Sequence, residues 1–291
     1  MTRLAQFTLI IPAHNEESVI GRCLRSVLTG MPANHAVEII VAANGCTDST
    51  VHRAREACPS ATILDILPGS KTNAINAANR IARFFPRIIL DADVECSFQS
   101  LAALAEAHVQ PDVMVSAPAI RLDQEQGSFL IKSYYRAWMK QPYAKAGKGG
   151  AGCYCLSQHA LKTVGEFPEI FGDDIWIHTR FADTQRRYVR KDRHGQDVYS
   201  VVRPPRTVRD QIRVEVRRAI GNAEVREKYP SRYLADVNSK GGVKGVLKSG
   251  ASPLDLLVFI GVKFVVKLRA RLQVRRSDRI IWARDNSTRE L

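Results

Sequence analysis

The stretch FTLIIPAHNEESVIGRCLRSVL, residues 7–28, decides the fold. Phe7 to Ile11 is an unbroken run of β-favouring residues closed by Pro12. From Glu16 to Leu28 the period changes: Val19, Ile20, Cys23, Leu24 and Val27 recur at the spacing of one helix face, with Asn15 placed to act as N-cap. A short apolar strand feeding straight into an amphipathic helix is half of a βαβ unit, and the chain repeats it. Strands expected over residues 37–41, 61–66 and 87–90 alternate with helices expected over 48–58 and 73–85, the latter with Ala74, Ala78, Ile81 and Ala82 inward. The alternation predicts an α/β sandwich around a mostly parallel, doubly wound sheet.

Such sheets bind ligands beyond the carboxyl ends of their strands. Three polar clusters fall at those ends: His14-Asn15-Glu16, Asn44-Gly45-Cys46-Thr47-Asp48 and Asp91-Ala92-Asp93. If the last group continues the strand, Asp91 and Asp93 share a face roughly 7 Å apart. Their repulsion at an effective dielectric of ~20 is about 2–3 kcal/mol. A divalent cation turns that repulsion into binding energy; a solvated turn, for which Asp is well suited, removes it.

Past Ala117 the pattern changes. A helix rich in aromatics is expected over residues 128–139, and a strand over 153–156 with Cys153 and Cys155 on one face. Between them KAGKGGAG, residues 145–152, reads as a lid, an acceptor-side loop or a plain hairpin turn, without the spacing of a P-loop or dinucleotide fingerprint. Asp173-Asp174 precede a helix, where the first turn favours acids whatever else they do. TQRRYVRKDRHG, residues 184–195, reads as a mobile loop able to close over a diphosphate with Arg186, Arg187, Arg190 or His194, or as a solvated loop. A helix is expected over residues 208–220, with Arg213, Arg217 and Arg218 available for phosphate contacts.

Ser252-Pro253 opens a last helix. Its Leu254, Leu257, Val258, Gly261, Val265, Leu268 and Leu272 follow at helical spacing beside Lys263, Lys267, Arg271 and Arg275. Such a helix either lies on an anionic bilayer or packs on the domain with its cations in water.

The chain has 291 residues, a formal net charge of +14 and six scattered cysteines without a C-x-x-C pair or zinc pattern. It is long enough for one or two structural units with a sizeable core. The charge implies an anionic partner, and the excess sits in residues 186–218 and 263–279. No signal-peptide apolar region and no apolar run of ~20 residues is present, so a cytoplasmic protein with reduced thiols is expected.

Five ordered segments carry a resemblance: LIIPAHNEESVIGRCLRSVL, EIIVAANGCTDST, GSKTNAINAANRIA, IILDADVECS and GEFPEIFGDDIWI. Together they resemble a family 2 glycosyltransferase of the GT-A fold. The resemblance implies an inverting, nucleotide-sugar-dependent enzyme in which Pro12, Ala13, His14 and Glu16 line the nucleotide pocket. It implies that Asn44 and Asp48 follow the strand near the base, and that Lys71 meets nucleotide or phosphate. Asp91, Ala92 and Asp93 would form a D-x-D motif. One of its carboxylates would meet ribose or donor sugar, and Asp93, with Asp91, would hold Mn2+ or Mg2+. Asp174, with Asp173 beside it, would supply the base. Ala43 departs from the pattern, standing where many relatives carry an acid that contacts uracil. The expected donor is a UDP-sugar, with a GDP-sugar as second choice. Gln211 lacks the adjoining Trp of processive synthases.

These expectations divide the chain into a catalytic domain over residues 1–225, with a nucleotide-sugar half to 120 and an acceptor half beyond, and a basic helical extension over 226–291. The expected acceptor is a sugar or lipid-linked sugar in bacterial-type cell-surface polysaccharide or glycolipid synthesis. Peripheral contact with the cytoplasmic face of the inner membrane is expected, and no nucleic acid. Two other classes compete with this one. A sugar-phosphate nucleotidyltransferase would show a glycine- and Arg/Lys-rich loop after the first strand, where Pro12-Ala13-His14-Asn15-Glu16 stands. A non-enzymatic binder of anionic surfaces or nucleic acid would interleave aromatics with its cations.

Overall fold

The computed structural model describes residues 6–33, 36–67, 69–141, 144, 152–234, 245, 247 and 250–276. The glycine-rich loop over 145–151 and the end of the C-terminal basic block lie outside them.

Strands β1 (Gln6–Ala13), β2 (Ala36–Asn44), β3 (Thr62–Ile66) and β4 (Arg87–Leu90) pair in parallel and alternate with helices α1 (Ile20–Leu28), α2 (Thr50–Ala57) and α3 (Lys71–Ile81). Two short segments follow β4, strand β5 (Glu95–Cys96) and helix α4 (Phe98–Glu106). Strand β6 (Val115–Leu122) then leads to helix α5 (Phe129–Met139) and strand β7 (Cys153–Leu156), which pairs antiparallel with both β4 and β6. Helices α6 (Gln158–Val164) and α7 (Asp173–His178) precede β8 (Arg186–Val189) and β9 (Tyr199–Val202), which lie parallel along successive halves of β6. Helices α8 (Val208–Lys228) and α9 (Pro253–Arg276) complete the described chain. The sheet order is β3-β2-β1-β4-β7-β6-β9-β5, with β8 on β6.

Strand alternation builds the layers. Phe7, Leu9, Ile11 and Ala13 point to one side of β1, into a core with Ile20, Leu24, Leu101 and Leu104 of α1 and α4. Ile10 and Ile40 point the other way, onto Ala74 and Ala78 of α3. Full burial of each large aliphatic side chain contributes about 1.5–3 kcal/mol. A third core joins α5, α8 and α9 through Tyr134, Ile212, Val216, Phe259 and Val262.

Several boundaries differ from expectation for physical reasons. Strand β1 runs through Pro12, because its pairing with β4 stops at Ile10 and a missing N–H there costs no ladder bond. Asn15 does not cap α1. It takes a positive φ of 51°, its side chain accepts from Thr47 N–H at 2.7 Å, and the helix starts at Ile20. Helix α3 starts two residues early, capped by Ser70, and ends at Ile81, which is exposed.

The helix expected to end at Ile220 runs on to Lys228 as α8. Gly221 is retained inside it where the loop before α7 crosses: an added Cβ would lie 3.2 Å from Phe171 Cβ. The boundary expected after residue 225 therefore falls inside α8, and α9 shares a core with α5 and α8. The 190–198 segment is a hairpin closed by backbone bonds, Val198 N–H to Arg190 O at 2.9 Å and Asp192 N–H to Gln196 O at 2.9 Å. Among the described residues no helix is long and apolar enough to cross a membrane.

Candidate active site

The parallel strands β1, β2 and β4 end at one sheet edge, and the three polar clusters gather there. Beyond β4 the chain does not continue as a strand. Val94 N–H donates to Asp91 O at 3.0 Å, which closes a tight turn over Asp91-Ala92-Asp93-Val94. The two acids are turn residues rather than alternate positions on a strand face, so the same-face geometry expected for them does not hold. Antiparallel β7 pins the turn from below, since Asp91 N–H donates to Gly152 O at 2.8 Å. Gly152 has φ +59°, and a Cβ on it would stand 2.5 Å from Val94 Cγ2 and 3.3 Å from Asp91 Oδ2. Glycine alone permits this approach.

Lys71 is the first residue of α3. Its ammonium lies 2.7 Å from Asp91 Oδ1 and 3.0 Å from Asp173 Oδ1, joining the end of β4 to the start of α7. Asp173 is buried, and its other oxygen accepts from Tyr154 OH at 2.9 Å. Asp174, next in sequence, is exposed, with Oδ1 accepting from Ile175 N–H at 2.8 Å. The α7 turn is seated by Gly172, which packs against Val225 and Gly221 of α8.

The charges do not balance. Burial pushes the Asp91 carboxyl up, the Lys71 ammonium opposes it, and Asp173 and Asp93 push it further, to about 6. Burial works against the Lys71 ammonium, but Asp173 and Asp91 outweigh it and hold its pKa above the ordinary lysine value. Tyr154 is driven well upward by burial first and by Asp173 second, so it stays a neutral donor. Lys71 pairs with two of these carboxylates and the Arg22 guanidinium acts on Asp93, yet Asp91 is still held up, and a further cation beside it would bring it down.

The β1 and β2 ends form the adjoining wall. His14 Nδ1–H donates to Asn44 O at 2.6 Å, and buried Asn44 donates from Nδ2 to Ala13 O at 2.8 Å. Glu16 is buried with its N–H on Thr50 Oγ1 at 2.6 Å, and Thr50 OH donates to Asp48 Oδ1 at 2.5 Å. Gly45, at φ +60°, comes so close to Gly69 that a Cβ would sit 2.9 Å from its backbone, which fixes the turn carrying Lys71 beside His14. Pro12, Ala13 and Ala92 are buried and shape the wall through backbone.

Of the residues expected at the site, Lys71, Asp91 and Asp173 meet directly. One strand away His14 is bonded to Asn44, and Asp48 belongs to a second set, accepting from Thr50 and from Glu17 N–H. Arg186 does not serve a diphosphate loop: its guanidinium is buried on His178 O at 2.8 Å and Asp183. Arg213 is paired with Asp210 and Arg218 with Glu215, each at 3.0 Å.

Sequence reading missed Tyr154, whose only signal was its position between two core cysteines of a strand. It also missed the ion network just past the D-x-D turn. Arg22 meets Glu95 at 3.0 Å, and Arg203 bridges Glu95 and Asp123.

Among the described residues no group of three or more His, Cys, Asp or Glu side chains could hold a metal ion by itself. Asp91 and Asp93 are hard oxygen donors of the kind Mg2+ or Mn2+ takes one or two of, leaving further positions for water and phosphate oxygens.

Residues 8–158 match the family described as Glycosyl transferase family 2. Among solved structures the fold is similar to that of the mannosyltransferase PcManGT from Pyrobaculum calidifontis, determined in complex with GDP-Man and Mn2+. The identity is 18%, the match covers 94% of this chain and 84% of that one, and the TM-score is 0.55. It is also similar to Mycobacterium tuberculosis glucosyl-3-phosphoglycerate synthase, at 16% identity over 78% of this chain and 81% of that one, with a TM-score of 0.54. That enzyme in complex with Mn2+, UDP and glucosyl-3-phosphoglycerate gives 16%, the same coverage of 78% and 81%, and 0.51. No curated protein matches the chain. The architecture is that of the GT-A glycosyltransferases.

Proposed function

We propose that this chain, which belongs to glycosyl transferase family 2, moves a sugar from a nucleoside-diphosphate donor to a hydroxyl acceptor with inversion at the anomeric carbon. The observation that carries the reading is Lys71 held between Asp91 and Asp173 at the carboxyl edge of the sheet. The donor's nucleotide lies along the His14–Asn44–Glu16–Asp48 wall, and its diphosphate is directed to the D-x-D turn. Asp91 and Asp93 hold Mn2+ or Mg2+, which when bound supplies positive charge for the departing diphosphate. Lys71 adds a fixed ammonium on the same side.

The two acids of α7 divide the work. Asp173 spends its oxygens on Lys71 and Tyr154 and acts as a positioning residue. Asp174, exposed beside it, takes the acceptor hydroxyl's proton as the new bond forms. A UDP-sugar is the first choice of donor and a GDP-sugar the second; one fold neighbour was solved with GDP-Man and another with UDP. The acceptor is a sugar or lipid-linked sugar of cell-surface polysaccharide or glycolipid synthesis, used at the cytoplasmic side of the membrane.

A donor-hydrolysis panel tests the reading. With Mn2+, slow release of free sugar and nucleoside diphosphate from one UDP- or GDP-sugar is expected. Pyrophosphate formed from a nucleoside triphosphate and a sugar phosphate, without donor hydrolysis, would instead identify a nucleotidyltransferase.

A further inference from the structure

Helix α9 is apolar on two opposite sides. One side packs on α5 and α8 through Asp255, Phe259, Val262 and Val266, all buried. This is not the face that the sequence pattern singled out. The outward side carries Leu257, Phe264, Leu268 and Leu272, exposed by 71%, 68%, 51% and 45%. Spacings of four and seven residues place them on one stripe, with Gly261 between. From Leu254 to Leu272 the stripe is about 27 Å long at the rise of an α-helix. Lys267 and Arg271 are exposed along one flank and Arg269 along the other. The helix's one carboxylate, Asp255, is turned inward onto Arg136 and Ser133. The outward side is therefore apolar along its centre, cationic at its edges and free of negative charge.

We propose that this stripe docks on an anionic lipid bilayer, with Leu257, Phe264 and Leu268 immersed at the acyl boundary and Lys267, Arg269 and Arg271 at the phosphate level. Charge decides the occupant. Cations on both flanks complement an anionic plane, and long basic side chains reach headgroups while their stems cover apolar surface. The docking stands on α9 alone; its consequence, access of the Asp91–Asp174 cluster to a lipid-borne acceptor, rests on the transferase reading above.

Co-sedimentation with phosphatidylcholine vesicles, with and without phosphatidylglycerol, tests it on the full chain. The protein should pellet with the mixed vesicles and be released by salt. Leu257→Ser/Phe264→Ser/Leu268→Ser should lower the partition coefficient by about a hundredfold or more. Each of Lys267→Gln, Arg269→Gln and Arg271→Gln should lower it about fivefold. All variants should keep the wild-type melting temperature and donor hydrolysis, since these side chains face outward. The proposal is overturned if wild type stays in the supernatant, or if the triple-Ser variant pellets as well as wild type. It is equally overturned if the stripe instead governs a monomer–dimer equilibrium measured by light scattering. Vesicle binding without donor hydrolysis would sink the transferase reading and leave the docking intact; hydrolysis without binding would do the reverse.

Discussion

At the scale of single residues, Lys71 organises the site. It touches Asp91 and Asp173, from β4 and α7, segments brought together only by the tertiary fold. The division between buried Asp173 and exposed Asp174 makes a sharp prediction. Asp174→Asn should lower transfer by about 10²–10⁴-fold, while calorimetric affinity for nucleoside diphosphate with Mn2+ stays within a factor of about two. Asp173→Asn should weaken both, because it releases Lys71. A second prediction concerns pH. His108 and His178 are held down to about 4, against an ordinary 6.5, chiefly by burial, with Arg186 adding to the effect at His178. Each is neutral in the folded chain where the unfolded chain would bind a proton, so their contribution to stability falls as pH falls from 6.5 towards 4. Asp91, held up to about 6 in the folded chain, works the other way and releases its proton on unfolding, so urea unfolding between pH 7 and 5 should show net uptake of up to about one proton; a pH-independent midpoint would refute the assignment. Asp91, Asp93, Lys71 and Asp173 were legible in the sequence as types at strand and helix ends. Tyr154 was not, because its role follows from antiparallel pairing of β7 with β4, which no local pattern announces.

At the scale of elements, the β1–α1 to β4 repeat was readable because strand and helix periods alternate cleanly. The misreadings arose where tertiary contact overrides local preference. Gly221 sits in mid-helix because residues 171 and 172 pass against it. Helix α9 hid the face it packs on α5 and α8 because apolar residues on both sides blur a one-face pattern. Phe259, buried and stacked on Tyr134 at 5.2 Å, anchors that packing. Phe259→Ala should cost about 3–5 kcal/mol in global unfolding. An unchanged urea midpoint would mean that α9 is a separable appendage. At the other end of the site, Gly152→Ala should displace the Asp91 turn, since its Cβ cannot coexist with Val94 as placed. Donor hydrolysis should fall by at least about tenfold, the equivalent of ~1.4 kcal/mol, with the fold retained by circular dichroism; undiminished hydrolysis would contradict the tight-turn geometry.

At the scale of the whole molecule, a net charge of +14 coexists with a candidate site rich in carboxylates. The surplus lies elsewhere, some of it along the outward side of α9; cations paired as Arg218 is with Glu215 and Arg136 with Asp255 add nothing to it. A ligand that binds only the folded chain should raise the melting temperature, by about 2.7 kcal/mol of added stability at a hundredfold excess over Kd. UDP or GDP should do so more strongly with Mn2+ than without. The most direct test of the central claim, that the Asp91–Asp93 turn with Lys71 and the α7 acids forms a sugar-transfer centre, is proton NMR of the product. Wild type should release the β-anomer first from an α-linked nucleotide sugar in the presence of Mn2+, and Asp93→Asn should abolish that release. Retention of the α-anomer, or undiminished turnover by Asp93→Asn, would contradict the account.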